Sequence, residues 1–319
     1  MTEALQAEAL SVLAHWGPLA EAPRLIKHRE NAVFEVHLAD GAHAALRLHR
    51  PGYQSDAAIR SELWWCQALA AAGFPAAEPL PTRAGALLVP GPRHAASLIR
   101  WCDGQPLGAA GEPLPPEAPA LYHRLGALIA DLHDATDRLT LPPGFTRPTW
   151  DAEGFLGEAP LWGRFWDSPA LSGPDRALLT RARDAALRAL EALESPDFGL
   201  IHADVLRENV LVADGRLTLI DFDDSGFGYR FYDLATALSQ GSDDPGLAPV
   251  ARALLDGYAR HRPLPPEAPR LLTLFCLLRA MASVGWLASR AAPDDPRQKG
   301  YIARATRLAE LWLQGQTLS

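Results

Sequence analysis

The stretch Leu200 to Asp223, LIHADVLRENVLVADGRLTLIDFD, leaves few ways to fold. An apolar pair, Leu200-Ile201, leads into a polar loop from His202 to Asn209. Val210 to Val212 is short, apolar and β-branched at both ends, and reads as a strand. Asp214-Gly215 is the turn dipeptide of a two-residue hairpin, in which both central residues take positive φ. Leu217 to Ile220 reads as the returning strand and runs into Asp221-Phe222-Asp223. A hairpin returns its second strand to the end where the first began. Asp204, Asn209 and Asp221 can therefore converge, although seventeen positions separate the first from the last.

That trio fits one kind of chemistry. A loop carboxylate can accept a proton from a hydroxyl. A carboxylate and an amide oxygen together can hold a hard cation such as Mg²⁺, which prefers oxygen ligands and keeps several waters. Phosphoryl transfer from ATP uses both parts. The order H-x-D-x-x-x-x-N followed by I-D-F resembles the catalytic and metal-binding segments of the protein-kinase-like superfamily. Within it, HAD…N…IDFDDSGFGYRFYDLA is similar to one phosphotransferase branch. That branch holds aminoglycoside phosphotransferases, choline kinases, type II homoserine kinases and the bacterial stress-response kinase SrkA. The resemblance implies Asp204 as the catalytic base, Asn209 and Asp221 as Mg²⁺ ligands, and ATP as donor. Asp223 would assist the metal or meet a cationic acceptor, with a solvated surface acid as the alternative. His202 would pack beneath the loop, and Asp233 would anchor loop backbone. Ala203 stands where the family often has glycine, which is tolerable if φ there is negative.

Upstream, Arg24 to His28, Val33 to Leu38 and Ala42 to His49 read as a three-stranded meander, with a turn at 29 to 32 and a hairpin signal at Asp40-Gly41. Residues 3 to 15 suggest a short surface helix. Ala45 and Arg47 share a face of the third strand by period-two alternation. The small residue leaves room for adenine while the cation reaches phosphates. A-L-R at 45 to 47 resembles the kinase-type A-x-K, with Arg in place of Lys. The turn at 29 to 32 has no glycine. It resembles the E-N turn of the small-molecule branch, which makes Asn31 a nucleotide contact; an ordinary turn asparagine is the alternative. Ser55 to Ala72 reads as a helix capped by Ser55 and stopped by Gly73. Glu62 lies at the edge of its stripe Ile59, Leu63, Cys66 and Ala70, and an inward carboxylate needs a cation. Arg47 is the expected partner, because positions 58 and 66 hold Ala and Cys.

Leu87 to Val89 and Ala96 to Trp101 read as two further strands. Pro- and Gly-rich sequence through Pro119 then marks a boundary. By resemblance it is the hinge where adenine pairs with backbone groups, here the carbonyl of Arg100 and the amide of Cys102. Leu121 to Asp134 and Pro174 to Leu193 read as helices, and residues 247 to 316 hold three more helical patterns. His133 reads as a helix-end or core histidine. RPTWD at 147 to 151 and GRFWD at 163 to 167 resemble the SrkA subgroup without an evident chemical role. Arg279 and Trp286 are acceptor-pocket candidates by resemblance.

The expected fold is α+β and two-lobed: an antiparallel-sheet lobe over 1–99, a hinge over 100–119 and a mostly helical catalytic lobe over 120–319. The expected reaction is transfer of the ATP γ-phosphoryl group to a hydroxyl of an amino alcohol, aminoglycoside or sugar. An SrkA-like protein Ser/Thr kinase and a catalytically silent nucleotide-binding protein are the alternatives. The net charge of −8 argues against nucleic acid as a partner. Three scattered cysteines with no C-x-x-C pair suit a reducing cytoplasm. Leu271 to Leu287, interrupted by Arg279, reads as a buried helix rather than a membrane span. Oligomeric state is left open.

Overall fold

The computed structural model describes residues 2–28, 31–292 and 294–318. The chain divides into two compact units, each built from segments distant in sequence. The first unit comprises Met1–Gln105, Leu139–Arg147 and Leu211–Asp223; the second comprises Pro106–Arg138, Pro148–Val210 and Asp224–Ser319. The division is thus not a single cut in the Pro-rich stretch, since two later segments belong with the first unit.

In the first unit the chain runs through α1 (Thr2–Leu13), β1 (Arg24–His28), β2 (Ala32–His37), β3 (His43–Leu48), α2 (Asp56–Ala71), β4 (Pro79–Leu80) and β5 (Ala96–Arg100). The strands form one antiparallel sheet in the order β1-β2-β3-β5-β4. Arg29 and Glu30, half of the expected turn, lie outside the described residues. Alternation sets the two faces. Phe34, Val36, Ala44, Leu46 and Leu48 are buried on one face with Leu5, Ala9, Val12 and Leu13 of α1. The N-terminal helix is therefore a layer of the core rather than a surface helix. The opposite face carries Ala45 and Arg47. Ile99, the cross-strand partner of Ala45, packs there against Ile59 and Leu63 of α2. Ser55 caps α2 by accepting from the Ala58 amide, and Gly73 ends it with φ 82°. Leu87 to Val89 is not a strand. Val89 makes one isolated bridge to Ala96. Pro90-Gly91-Pro92 follows at once, and proline has no N–H to extend a ladder.

From the first unit the chain enters β6 (Gln105–Pro106), then α3 (Ala118–Asp137), β7 (Thr149–Trp150), α4 (Ala152–Leu156), α5 (Gly173–Glu191) and β8 (Phe198–Ile201). The hairpin β9 (Val210–Ala213) and β10 (Arg216–Leu219) follows, and the boundary between units falls within β9. Its turn residues Asp214 and Gly215 have φ of 48° and 74°, as a two-residue hairpin turn requires. The rest is β11 (Gly226–Tyr229), α6 (Phe231–Ser239), α7 (Leu247–Ala259), α8 (Ala268–Arg290) and α9 (Arg297–Leu313). Ser225 leads into β11, the centre of the sheet β7-β11-β8. A Cβ at Gly226 would strike the Pro148 carbonyl. The helix α8 is long and apolar enough to cross a membrane, but 78% of its most apolar window is buried within the protein. Cys66, Cys102 and Cys276 are free thiols.

Helices α3 and α7 meet through two glycines. A Cβ on Gly126 would run into the Leu254 carbonyl, and one on Gly257 into the His123 carbonyl. Both glycines sit inside helices, where alanine is intrinsically favoured by about 1 kcal/mol. Overpacking of a close-packed contact costs about 1–3 kcal/mol. The steric term should win: Gly126→Ala is expected to lower stability in urea unfolding. An unchanged or raised midpoint would show that the helices are not in backbone contact.

Candidate active site

In the second unit the site is built on the loop that leaves β8. The carboxylate of Asp233, in the first turn of α6, is fully buried and accepts from the amides of His202 at 2.9 Å and Ala203 at 2.7 Å. His133 Nε2 lies 3.1 Å from the same carboxylate, while its Nδ1 lies 2.9 Å from the Tyr258 hydroxyl. Burial alone would raise the Asp233 pKa, but the His133 and His202 contacts outweigh it and hold it low. Burial keeps His133 neutral. Its Nε2–H then donates to Asp233 and its Nδ1 accepts from tyrosine. These bonds hold Ala203 at φ 63°. The expectation of a negative φ is corrected here: alanine occupies a left-handed position, at a cost of about 1–2 kcal/mol.

Asp204 follows. Its amide donates to His202 Nδ1 at 3.2 Å, which gives His202 its place beneath the loop. Its Oδ1 accepts from Arg279 Nη2 at 2.8 Å and its Oδ2 from Asn209 Nδ2 at 2.9 Å. Asn209 Nδ2 also donates to the Asp204 carbonyl at 2.9 Å. The amide nitrogen is thus committed to Asp204, and Oδ1 is the Asn209 atom left for a cation. Arg279 reaches in from α8, donates to the Ala203 carbonyl at 3.1 Å, and lies 4.5 Å from the centre of the Trp162 ring. Trp286, on the same helix, is half-buried and stacks against Arg290.

In the first unit the centre is Arg47. Nη1 donates to Glu62 Oε1 at 3.1 Å and Nη2 to Asp221 Oδ1 at 2.7 Å, with Asp223 Oδ1 4.0 Å away. The strand-to-helix pair expected with Glu62 is present; the bond to Asp221 was not foreseen. Burial would depress the Arg47 pKa, but the three carboxylates raise it, so it stays charged. Burial pushes Glu62 up to about 7, with Asp223 and Asp221 adding to the shift. Burial likewise raises Asp223. Asp221, at φ 65°, is the more exposed acid, with 38% of its side chain accessible against 11% for Asp223. Asn31 spends both ends of its amide within this unit, donating to Asp223 Oδ2 at 3.1 Å and accepting from the Arg50 amide at 2.9 Å. Ala45 lies on the Arg47 face, opposite Ile99. The Arg100 amide closes on the Glu78 carbonyl at 2.7 Å, and the Cys102 thiol lies 3.8 Å from the Arg100 carbonyl.

Three residues escaped the sequence reading. Arg147 donates to the backbone carbonyls of Asp223 at 2.6 Å and Ala58 at 3.0 Å, and lies 3.8 Å from Glu62 Oε2. Trp150 Nε1 donates to the Asp224 carbonyl at 2.9 Å. The RPTWD motif therefore fixes the backbone around Asp223 and Asp224. Arg207, buried, holds the Ala109 and Glu112 carbonyls at 3.3 and 2.8 Å. The motif similarity was the available signal for the first two. Nothing in local spacing pointed to the third.

The model of the phosphotransferase enzyme family matches residues 22–268. A microcompartment-associated aminopropanol kinase of known structure is 32% identical, with 98% of this chain and 99% of that one covered and a TM-score of 0.85. A homoserine kinase of Rhodospirillum rubrum is 31% identical over 72% of this chain and 71% of its own. The amicoumacin kinase of Bacillus subtilis is 26% identical over 70% of this chain and 65% of its own.

The charge balance around Arg47 has a measurable consequence. Glu62 has a folded pKa near 7, above its ordinary 4.5. The folded state therefore holds this proton more tightly than the unfolded one. Ionised Glu62 destabilises the fold, fully above pH 7 and not at all below 4.5. Glu62→Gln removes that titration. The stability difference between variant and wild type should shift in the variant's favour as pH rises from 5 to 8, read by urea unfolding at each pH. A difference that stays flat would mean Glu62 titrates normally.

Proposed function

The chain belongs to the phosphotransferase enzyme family and is an ATP-dependent small-molecule kinase acting on an alcohol group; from that premise we propose which residues do the work. Asp204 orients the acceptor hydroxyl and takes its proton as the oxygen attacks the γ-phosphorus and the bond to the β-phosphate bridging oxygen breaks. The observation that carries this role is the carboxylate held from two sides by Arg279 and Asn209. Asn209 and Asp221 are the Mg²⁺ ligands. The donors fit: an amide oxygen left over by the bond to Asp204, and a part-exposed carboxylate. When bound, Mg²⁺ neutralises charge on the phosphates. Arg47, positioned by Glu62 and held charged chiefly by Asp221, contacts the phosphates. Ala45 and the backbone at Arg100 and Cys102 accept the adenine. Asn31 acts through Asp223, which serves Arg47 rather than the acceptor. The acceptor is a hydroxyl compound of the small-molecule class taken by the aminopropanol and homoserine kinases it resembles.

Asp204→Asn keeps the shape but cannot accept a proton. A general base contributes roughly 10²–10⁴ in rate, so kcat should fall by about that factor with ATP affinity little changed. Near-wild-type turnover in a coupled ADP-release assay would exclude Asp204 as the base.

Asp221→Asn tests the metal assignment. Calorimetry of ATP with and without Mg²⁺ should show that the metal strengthens nucleotide binding to wild type but not to the variant. Equal strengthening in both would move the metal away from Asp221.

A further inference from the structure

We propose that Glu35, His37 and His43, on the sheet of the first unit, form a binding site for a divalent transition metal of the zinc class. The site is separate from the Mg²⁺ ligands and does not depend on the kinase reading. Strand alternation puts positions 35 and 37 of β2 on one face, and the register sets His37 directly opposite His43 of β3. Leu38 donates to the Ala42 carbonyl, while the carbonyls of His37 and His43 turn outward to the amides of Ala20 and Trp101. The histidines are thus a non-hydrogen-bonded cross-strand pair, the kind whose side chains approach most closely. Their rings stack with centroids 4.2 Å apart, and the Trp101 ring stacks on His43 at 4.5 Å. Ligand atoms of Glu35, His37 and His43 lie within 4.8 Å of one another, the one such cluster of His, Cys or acidic groups among the described residues.

The carboxylate is aimed. Arg24 holds Glu35 Oε2 through Nε at 2.9 Å and through Nη2. That leaves Oε1 turned to both rings, 3.1 Å from His43 Nε2 and 3.8 Å from His37 Nε2. A tetrahedral ion with ligands at about 2.0–2.1 Å holds them about 3.3 Å apart, so a small shift brings all three onto one ion. The Arg24 bond also keeps the Glu35 carboxyl below its ordinary range, so this ligand is ionised. Glu21 offers a fourth donor. The Ala20 amide bonds the His37 carbonyl at 2.8 Å, and the next residue places Glu21 Oε1 3.5 Å from His37 Nε2. Two imidazoles with one or two carboxylates suit Zn²⁺ and its neighbours, whereas Mg²⁺ prefers oxygen ligands alone. Surface ion pairing explains Arg24 on Glu35, but not two histidines turned to the oxygen that Arg24 leaves. A dication lets Oε1 and both ring nitrogens act as donors, and Glu21 supplies the second negative charge.

The test uses the full chain, stripped with a chelator and returned to buffer containing excess Mg²⁺. Zn²⁺ is titrated by calorimetry, and Co²⁺ by its visible absorption. A single equivalent of Zn²⁺ should bind despite the Mg²⁺ and raise the midpoint of urea unfolding, since a ligand of the folded state stabilises it. Loss of a residue that only orients a metal ligand costs about 10–100-fold in affinity, so loss of a ligand should cost about a hundredfold or more. His37→Gln, His43→Gln and Glu35→Gln should each show that loss, with no Co²⁺ band and no rise in midpoint on adding Zn²⁺. Their metal-free midpoints should stay near that of wild type, because all three side chains lie at the surface of the sheet. Cys102→Ser should bind Zn²⁺ as wild type does. No Zn²⁺ binding to wild type, or displacement of the Zn²⁺ by Mg²⁺, overturns the inference. So does binding that survives both histidine substitutions, or that disappears in Cys102→Ser, since the ion is then held elsewhere.

Discussion

The buried carboxylate of Asp233 is the fixed point on which the loop leaving β8 depends. It accepts two consecutive backbone amides, from His202 and Ala203, and a third bond from His133. Bonds to a charged group contribute about 1.5–3 kcal/mol each. Together they exceed the roughly 1–2 kcal/mol cost of a left-handed alanine. Alanine can therefore stand where glycine would be the relaxed choice. Because Ala203 is forced, its carbonyl meets Arg279 and the next residue, Asp204, is placed by Arg279 and Asn209. A buried carboxylate on α6 thereby sets the position of the one proposed to meet the acceptor.

The first unit solves a different problem, the burial of excess negative charge. Glu62, Asp221 and Asp223 gather about Arg47, with Arg147 alongside. Three carboxylates against two guanidiniums leave one negative charge too many, and two of the three acids, Glu62 and Asp223, are buried. The balance is met by Glu62, the most buried acid, holding a proton up to about pH 7. The same geometry gives a reason for arginine at position 47. One fork spans Glu62 on Nη1 and Asp221 on Nη2, which the single point charge of a lysine ammonium does less well.

Much of this was legible in the sequence, because it depends on local rules. Asp214-Gly215 specified the hairpin, Ser55 and Gly73 bounded α2, and alternation put Ala45 and Arg47 on one face. Glu62 could be paired with Arg47 because no nearer partner existed on its own helix. What local rules cannot give are contacts that join distant segments through backbone atoms. Arg147 acts on the carbonyls of Ala58 and Asp223, and nothing in a side-chain pattern records a carbonyl. The sign of φ at Ala203 was misread for the same reason, since it follows from Asp233, thirty positions away. The strand expected at Leu87 to Val89 failed because hydrophobicity was weighed above the prolines that follow it.

The Arg279 contact bears on how Asp204 can act as the proposed base. A guanidinium on Oδ1 favours the ionised carboxylate and so makes it a weaker base. That would be a handicap in a reaction needing early deprotonation of its nucleophile. Phosphoryl transfer passes through a loose transition state in which the attacking oxygen has formed little bond to phosphorus. The hydroxyl proton becomes acidic only late, when a weak base suffices. Before that point the need is for aim, and a carboxylate fixed on one side by Arg279 and on the other by Asn209 has little freedom to point elsewhere. The pairing gives up basicity, which this chemistry uses last, for orientation, which it uses first.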